Sequence, residues 1–480
     1  MVPRLTSSRL GLNLVGIFYL GKFSGGLKMT QQKQRRFFSV TVLIVGLMLI
    51  FGVGMIYFKL APYVPLTLGL MITMIFGRLN GYSWQSVQDQ LLAGVRIGLS
   101  PIFLFLLIGM IIALWMGDGV ISTLLWSGLQ LARPDWFLPA AFVISAVIGT
   151  AIGSSFTTIA TIGVALMGIG TTFGIPMPML AGAIISGAIF GDKSSPLSGS
   201  TNLAASIAGS ELFEHIKNMM WTTIPAFGLS LIGFTGLGLM HHTGASAESL
   251  MSLQSHLTPQ WWSLTLVGLL FVTAWLKIPA IPTLLINVTA SAFVFLQSNS
   301  VMTLSHVIMD GFKTTSSDPM VQDLLNRGGM LSMMGTVLII ILALALGGIL
   351  TEEAILADFM APLIKQVRTQ AEAVIGTLLT GILANFMIGE KCLATILPGE
   401  LWKPTFKRLG LAPVALSRSL EDSGTVVNYL VPWGVAGSFC AQTLGVPVAH
   451  FAVFAIFAWA SPICSMISAM TKIGLAQIDD

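Results

Sequence analysis

Residues 177–196 read MPMLAGAIISGAIFGDKSSP. An apolar run interrupted only by small residues ends abruptly in Asp192-Lys193 and then Ser194-Ser195-Pro196. Such a run forms a buried helix. Proline lacks a backbone N–H and drives the preceding residue out of the helical region, so the helix is expected to break where the charges arrive. Inside a bilayer a broken backbone is tolerated only where it is buried in protein or lines a wet cavity. The carbonyls freed there, the Asp192 carboxylate and the side-chain oxygens of Ser194, Ser195, Ser198, Ser200, Thr201 and Asn202 are hard ligands that suit a small alkali cation. The competing reading is an ion-paired link, Asp192-Lys193, at a membrane surface.

The rest of the chain supports the membrane setting. Of 480 residues, 54% are hydrophobic and 9% charged, where a soluble chain carries roughly a quarter charged. The mean hydropathy is +0.85. Apolar segments recur from 38–58 to 446–470, several too short to span a hydrocarbon core about 30 Å thick on their own. The expected fold is therefore an all-α polytopic membrane protein with about eleven to thirteen transmembrane helices, broken helices and re-entrant segments. Barrel strands would alternate apolar and polar residues, and these segments do not. The net charge of +4 sits in short basic clusters beside apolar segments, so nucleic acid is not an expected partner. Cys392, Cys440 and Cys464 have neither metal-site spacing nor an even count, the histidines form no ligand pattern, and no phosphate-binding loop motif occurs. No cofactor is expected, and ATP is not the expected energy source.

Residues 1–37 read as a cytoplasmic tail, with Lys33, Arg35 and Arg36 holding it inside; 1–28 read either as a weak signal-like extension or, the favoured reading, as an extension ahead of a start at Met29. A first transmembrane half, 38–296, contains a repeat core at about 137–209. A polar link, 297–330, leads to a second half, 331–480, with a repeat core at about 371–447. The two cores share an order of motifs. Gly153-Ser154-Ser155-Phe156-Thr157-Thr158 and a Gly174-Ile175-Pro176 turn are matched by Gly389-Glu390-Lys391-Cys392 and Gly410-Leu411-Ala412-Pro413. Each core then reaches an acidic break, Asp192-Lys193 or Glu421-Asp422-Ser423-Gly424-Thr425, once a small gap is allowed. Between matching elements the first core has no charge and the second has Lys403, Lys407 and Arg408, so the copies are expected to be inverted.

The second acidic break offers adjacent carboxylates where Asp422 or Ser423 could also cap a helix. Ser154, Ser155 and Thr157, with Glu390 and Lys391 in the other copy, form a second pair of suspected breaks. Lys391 could neutralise a carboxylate once a cation has left. Small hydroxyl residues of this kind also permit close helix packing.

At these residues the sequence resembles the NhaC-type sodium/proton antiporters, a family that includes sodium-linked malate/lactate exchangers. The resemblance rests on Gly182-Ala183-Ile184-Ile185-Ser186-Gly187-Ala188 leading into Phe190-Gly191-Asp192-Lys193, on Ser195-Pro196-Leu197-Ser198 and on Thr201-Asn202-Leu203-Ala204. In the second half it rests on Ile396-Leu397-Pro398-Gly399, Arg408-Leu409-Gly410-Leu411-Ala412-Pro413, Leu420-Glu421-Asp422-Ser423-Gly424-Thr425 and Val431-Pro432-Trp433. It implies a multi-pass protein of the bacterial inner membrane, with an ion-transporter-type fold, that expels cytoplasmic sodium against entering protons. The expected ion and proton ligands are Asp192 first, then Asp422 and Glu421, with Ser194, Ser195, Thr201, Asn202, Ser423 and Thr425 as oxygen donors. Asp192 and Asp422 are the expected sodium carboxylates. Ser154, Ser155, Thr157, Lys193, Glu390 and Lys391 stand behind them. The alternative is a sodium- or proton-coupled exchanger of organic acids or amino acids, which Lys193, Lys391 and Arg418 keep open. An enzyme lacks a recognisable nucleophile–base pair, and a passive channel fits broken repeats poorly. The lipid bilayer, Na+ and H+ are the expected partners, with a homodimer and a small organic acid left open.

Overall fold

The computed structural model describes residues 31–131, 134–240, 259–276, 278–314, 322, 326 and 328–478. The expected extension 1–28, and part of the polar link 297–330, lie outside the described residues. Among the described residues the protein is helical and contains no strand, so the chain is an all-α polytopic membrane protein. Six helices are long and apolar enough to cross a bilayer, and a seventh crossing results if the pair Val435–Leu444 and Val448–Phe454, bent by 92°, is one span. The difference from about eleven to thirteen full helices lies in the breaks, because several apolar segments fold as shorter helices such as Tyr63–Leu79, Ile281–Phe295 and Ile456–Thr471. Large apolar side chains such as Ile224, Ile232, Phe293 and Val453 stay exposed on the outer surface, as lipid contact requires.

The elements that frame the site are α1 (Pro134–Ile152), α2 (Met177–Ser194), α3 (Gly199–Ala208), α4 (Leu212–Met240), α5 (Gln370–Ile388), α6 (Leu393–Arg408), α7 (Pro413–Leu420), α8 (Val435–Leu444) and α9 (Ile456–Thr471). Helix α2 ends where the sequence says it must. Ser195, directly before Pro196, is extended (φ −88°, ψ 130°), and the chain re-enters a helix at α3 with Ser198 as its N-cap. Val431, before Pro432, breaks the second half in the same way (φ −94°, ψ 117°). Close approach of α1 and α2 depends on glycine: a Cβ on Gly191 would lie 2.5 Å from the backbone of Gly149.

Left-handed glycines mark the two series of breaks. Gly153, Gly174 and Gly209 have positive φ, and so do Gly389, Gly410 and Gly445, at the same intervals along the chain. In this register Pro196 falls opposite Pro432, and Asp192 falls opposite Asn428. Glu421-Asp422 fall opposite Ile185-Ser186, so no gap is needed and the two acidic motifs are not equivalent positions. Proline and left-handed glycine set the repeating backbone, whereas the charges do not repeat with it.

Candidate functional site

The break after α2 faces a wound-out segment of the other half. Residues Glu421–Thr425, continuing α7, form a π turn, and Val427–Leu430 a tight helical turn. A π turn widens the backbone ring and turns its side chains off the regular helical face, a feature common at functional sites. Asn385 of α5 holds it in place, donating to the carbonyls of Ser423 (2.9 Å) and Gly424 (2.8 Å) and accepting from Asn428 (2.8 Å). Asn428 in turn accepts the N–H of Ala436 (2.9 Å), which caps α8 beyond the second break.

Between the two segments lies a cavity of about 10 Å3 lined by Ile189, Asp192, Lys193, Ser200, Lys391, Glu421, Thr425 and Tyr429. That is room for about one water-sized body. Asp192 is fully engaged. One carboxylate oxygen accepts from Ser198 (2.6 Å), and the other from Ser155 (2.7 Å) and the ammonium of Lys391 (3.3 Å). Ser155 also shares a hydrogen bond with the Tyr429 hydroxyl. Asp422 points away from the cavity. Its carboxylate pairs with Lys193 and accepts from Ser461 (2.6 Å) of α9 and Thr222 (3.0 Å) of α4. Lys193 and Asp422 are 1% and 0% exposed, so this pair is fully desolvated, and it stands only because each charge answers the other.

Glu421 differs from both. It is completely buried, and its Oε2 has no hydrogen-bond partner. Its Oε1 lies 3.5 Å from the hydroxyl of Thr201, which also reaches the Lys193 carbonyl at 3.1 Å. Thus two aspartates are each matched with a lysine from the opposite half, and Glu421 is the carboxylate left over.

The structure brings Asp192, Lys193, Lys391, Glu421 and Thr425 to one cavity and sets Ser155 and Thr201 directly behind it. Asp422 reaches the cavity only through Lys193. Other expected donors serve the backbone: Ser154 caps the helix starting at Ser155, Glu390 accepts the N–H of Leu393 (2.9 Å), and Asn202 ties Pro196 and Ser198. Ser195 accepts the N–H of Leu197, and Ser423 donates to Ser419 one turn back. Thr157 donates to Ser154 (3.0 Å), and the buried Ser194 hydroxyl has no partner. Sequence reasoning missed Tyr429, Thr222 and Ser461. Thr222 and Ser461 sit in apolar helices, where bonding to the local backbone is the usual reading of a small hydroxyl, and Tyr429 reads as an aromatic core residue, so no local signal singles them out.

A family model described as the Na+/H+ antiporter family matches residues 29–201 and 187–473. The chain is 36% identical over 444 residues to the Na(+)/H(+) antiporter NhaC of Alkalihalophilus pseudofirmus, covering 91% of this chain and 96% of that protein. It is 34% identical over 423 residues to the Na(+)/H(+) antiporter NhaC of Bacillus subtilis, covering 86% of this chain and 92% of that protein. It is 32% identical over 411 residues to the malate-2H(+)/Na(+)-lactate antiporter of Bacillus subtilis, covering 83% and 87%. Both charged breaks, with the cavity between them, lie inside the matched segments, and the chain belongs to the Na+/H+ antiporter family.

Proposed function

We propose that this protein exchanges cytoplasmic sodium for external protons at the cavity between the two breaks, with Glu421 as the carboxylate that both ions share. The observation that carries the reading is the unmatched, fully buried Glu421 beside two aspartates that each have a lysine. A proton on the Glu421 carboxylate and a sodium ion beside it neutralise the same charge, so proton and sodium exclude each other there. Asp192, Ser200, Glu421, Thr425 and Tyr429 all line the cavity and supply hard oxygens. Sodium binding at Asp192 requires Lys391 to withdraw, and the Phe156 ring, 5.0 Å from its ammonium, gives the charge a second contact. With Lys391 on Asp192 and a proton on Glu421, the cavity is neutral without sodium. Occupancy then alternates between sodium and proton, and inverted halves pivoting about the breaks would present the site to each side in turn. The inner membrane of a bacterial cell is the setting this exchange requires, since a standing proton gradient drives it.

Lysines in the cavity wall also favour a second reading, exchange of a small organic acid, and one relative is named for malate and lactate. The cavity volume of about 10 Å3, room for one water-sized body, supports the ion reading. Purified protein in liposomes with an imposed proton gradient tests both. Sodium alone should dissipate the gradient, and dissipation by malate or lactate but not by sodium would reverse the choice.

A further inference from the structure

Glu421 and Asp422 are neighbours that face opposite ways, and Asp422 opens onto a polar seam between α4, α7 and α9. Thr222 and Ser461 meet at its carboxylate. One turn back along α7, the buried Arg418 donates to Ser468 of α9 (3.0 Å) and to the carbonyl of Gly474 (2.6 Å). Asn218 of α4 donates to the same carbonyl (3.2 Å). Along this seam both ring nitrogens of His215, the Asn218 amide oxygen, Arg418 Nε and the Ser465 hydroxyl are buried without a partner. His215, Arg418 and Ser465 are each 0% exposed. Unpaired polar groups gathered in one place are costly in an apolar interior, and a bridging water typically takes two to four such partners. The histidine is the titratable member, and the cavity chemistry described above does not use it.

We propose that this seam is the proton path, separate from the sodium cavity, and that His215 is its relay. The inference rests on the exchange reading of the cavity. His215 takes a proton on one ring nitrogen and releases one from the other, through the bridged polar groups, to Asp422. Lys193, which pairs with Asp422 and also lines the cavity, gives a proton to Glu421 and is restored by the proton on Asp422. The net step moves one proton from His215 to Glu421, leaving Asp422 and Lys193 as they began. The charged and titratable groups facing the seam are Lys193 from α2, Arg418 from α7, Asp422 from the π turn and Cys464 from α9. Helix α3 contributes none, and Asp135 of α1 sits beside Gly238 at the far end of α4.

The test compares wild type, His215→Gln and Ser465→Val in proteoliposomes, with exposed His306→Gln as control. We expect His215→Gln to slow sodium-dependent proton flux by about tenfold or more and to remove one limb of its pH profile. Sodium should still raise the unfolding temperature of that purified variant, because the cavity is untouched. Ser465→Val should slow flux with the pH profile retained, and His306→Gln should match wild type. Wild-type rate and profile in His215→Gln would overturn the proposal, as would loss of sodium's thermal protection together with the rate. If His215→Gln does not fold, wild-type flux in Ser465→Val overturns it alone. Should wild type move protons with an organic acid and not with sodium, the cavity reading fails, and the same comparison on that flux still decides the seam.

Discussion

At the scale of single residues, the three carboxylates near the breaks differ in what removing their charge does. Glu421 has no cationic partner, so Glu421→Gln takes a buried charge away and strands none. It should abolish sodium-dependent proton flux in proteoliposomes without lowering the unfolding temperature. Asp422→Asn leaves the Lys193 ammonium buried and unanswered, and loss of one partner of such a pair costs about 3–5 kcal/mol. Thermal unfolding in detergent should therefore separate the two substitutions clearly. A double variant, Lys193→Met with Asp422→Leu, should recover most of that stability and remain inactive, since an apolar pair of similar size replaces a buried ion pair at little cost. A double variant no more stable than Asp422→Asn would show that the pair is held by something other than mutual charge.

Elements supply the positions. Helix α5 carries Asn385, whose amide holds two carbonyls of the π turn, so Asn385→Leu leaves Ser423 and Gly424 with unpaired carbonyls in an apolar interior. Each such group costs about 1–3 kcal/mol. The variant should lose stability on that scale, and sodium-dependent flux should fall with it because Glu421 rides on the turn. Helices α1 and α2 approach through Gly149 and Gly191, and Gly191→Ala should cost about 1–3 kcal/mol by overpacking. Its effect on flux should exceed that on folding, since the displaced residue adjoins Asp192 and the contact between Ser155 and Asp192 spans the same gap. Comparing flux per folded molecule with the unfolding temperature measures the two effects separately.

Across the whole molecule, the two ion pairs stitch the first half to the second. Asp192 and Lys193 sit at the end of α2, while Asp422 lies in the π turn and Lys391 just after the Gly389 break. Each lysine can leave its buried carboxylate only when another charge arrives to answer it. Asp192→Asn frees Lys391 with no partner, so it should reduce the yield of folded protein in size-exclusion profiles. Adding Lys391→Met should restore yield, with a coupling of about 0.5–3 kcal/mol, and neither variant should transport. Strict additivity of the two substitutions would mean that the pair does not bridge the halves.

Much of this was legible in the chain itself. The apolar runs, the residues before Pro196 and Pro432 and the glycines that end helices are local features, and local sterics fix what they do. The membrane class and the place of the breaks follow from them, and Asp192, Glu421 and Lys391, singled out beside those breaks as candidates, line one cavity. Charge misled where it was read as a repeat: Glu421-Asp422 looked like the partner of Asp192-Lys193, yet backbone register puts Asn428 there. The assignment of partners was settled in space. Lys193 with Asp422 and Lys391 with Asp192 are contacts between residues far apart in sequence, Glu421 forms no ion pair, and the adjacent carboxylates of Glu421 and Asp422 face the cavity and the seam respectively. Sequence determines where a helix must stop, since that depends on neighbours along the chain; only tertiary structure decides which buried charge is left unmatched, since that depends on what the other half brings to meet it.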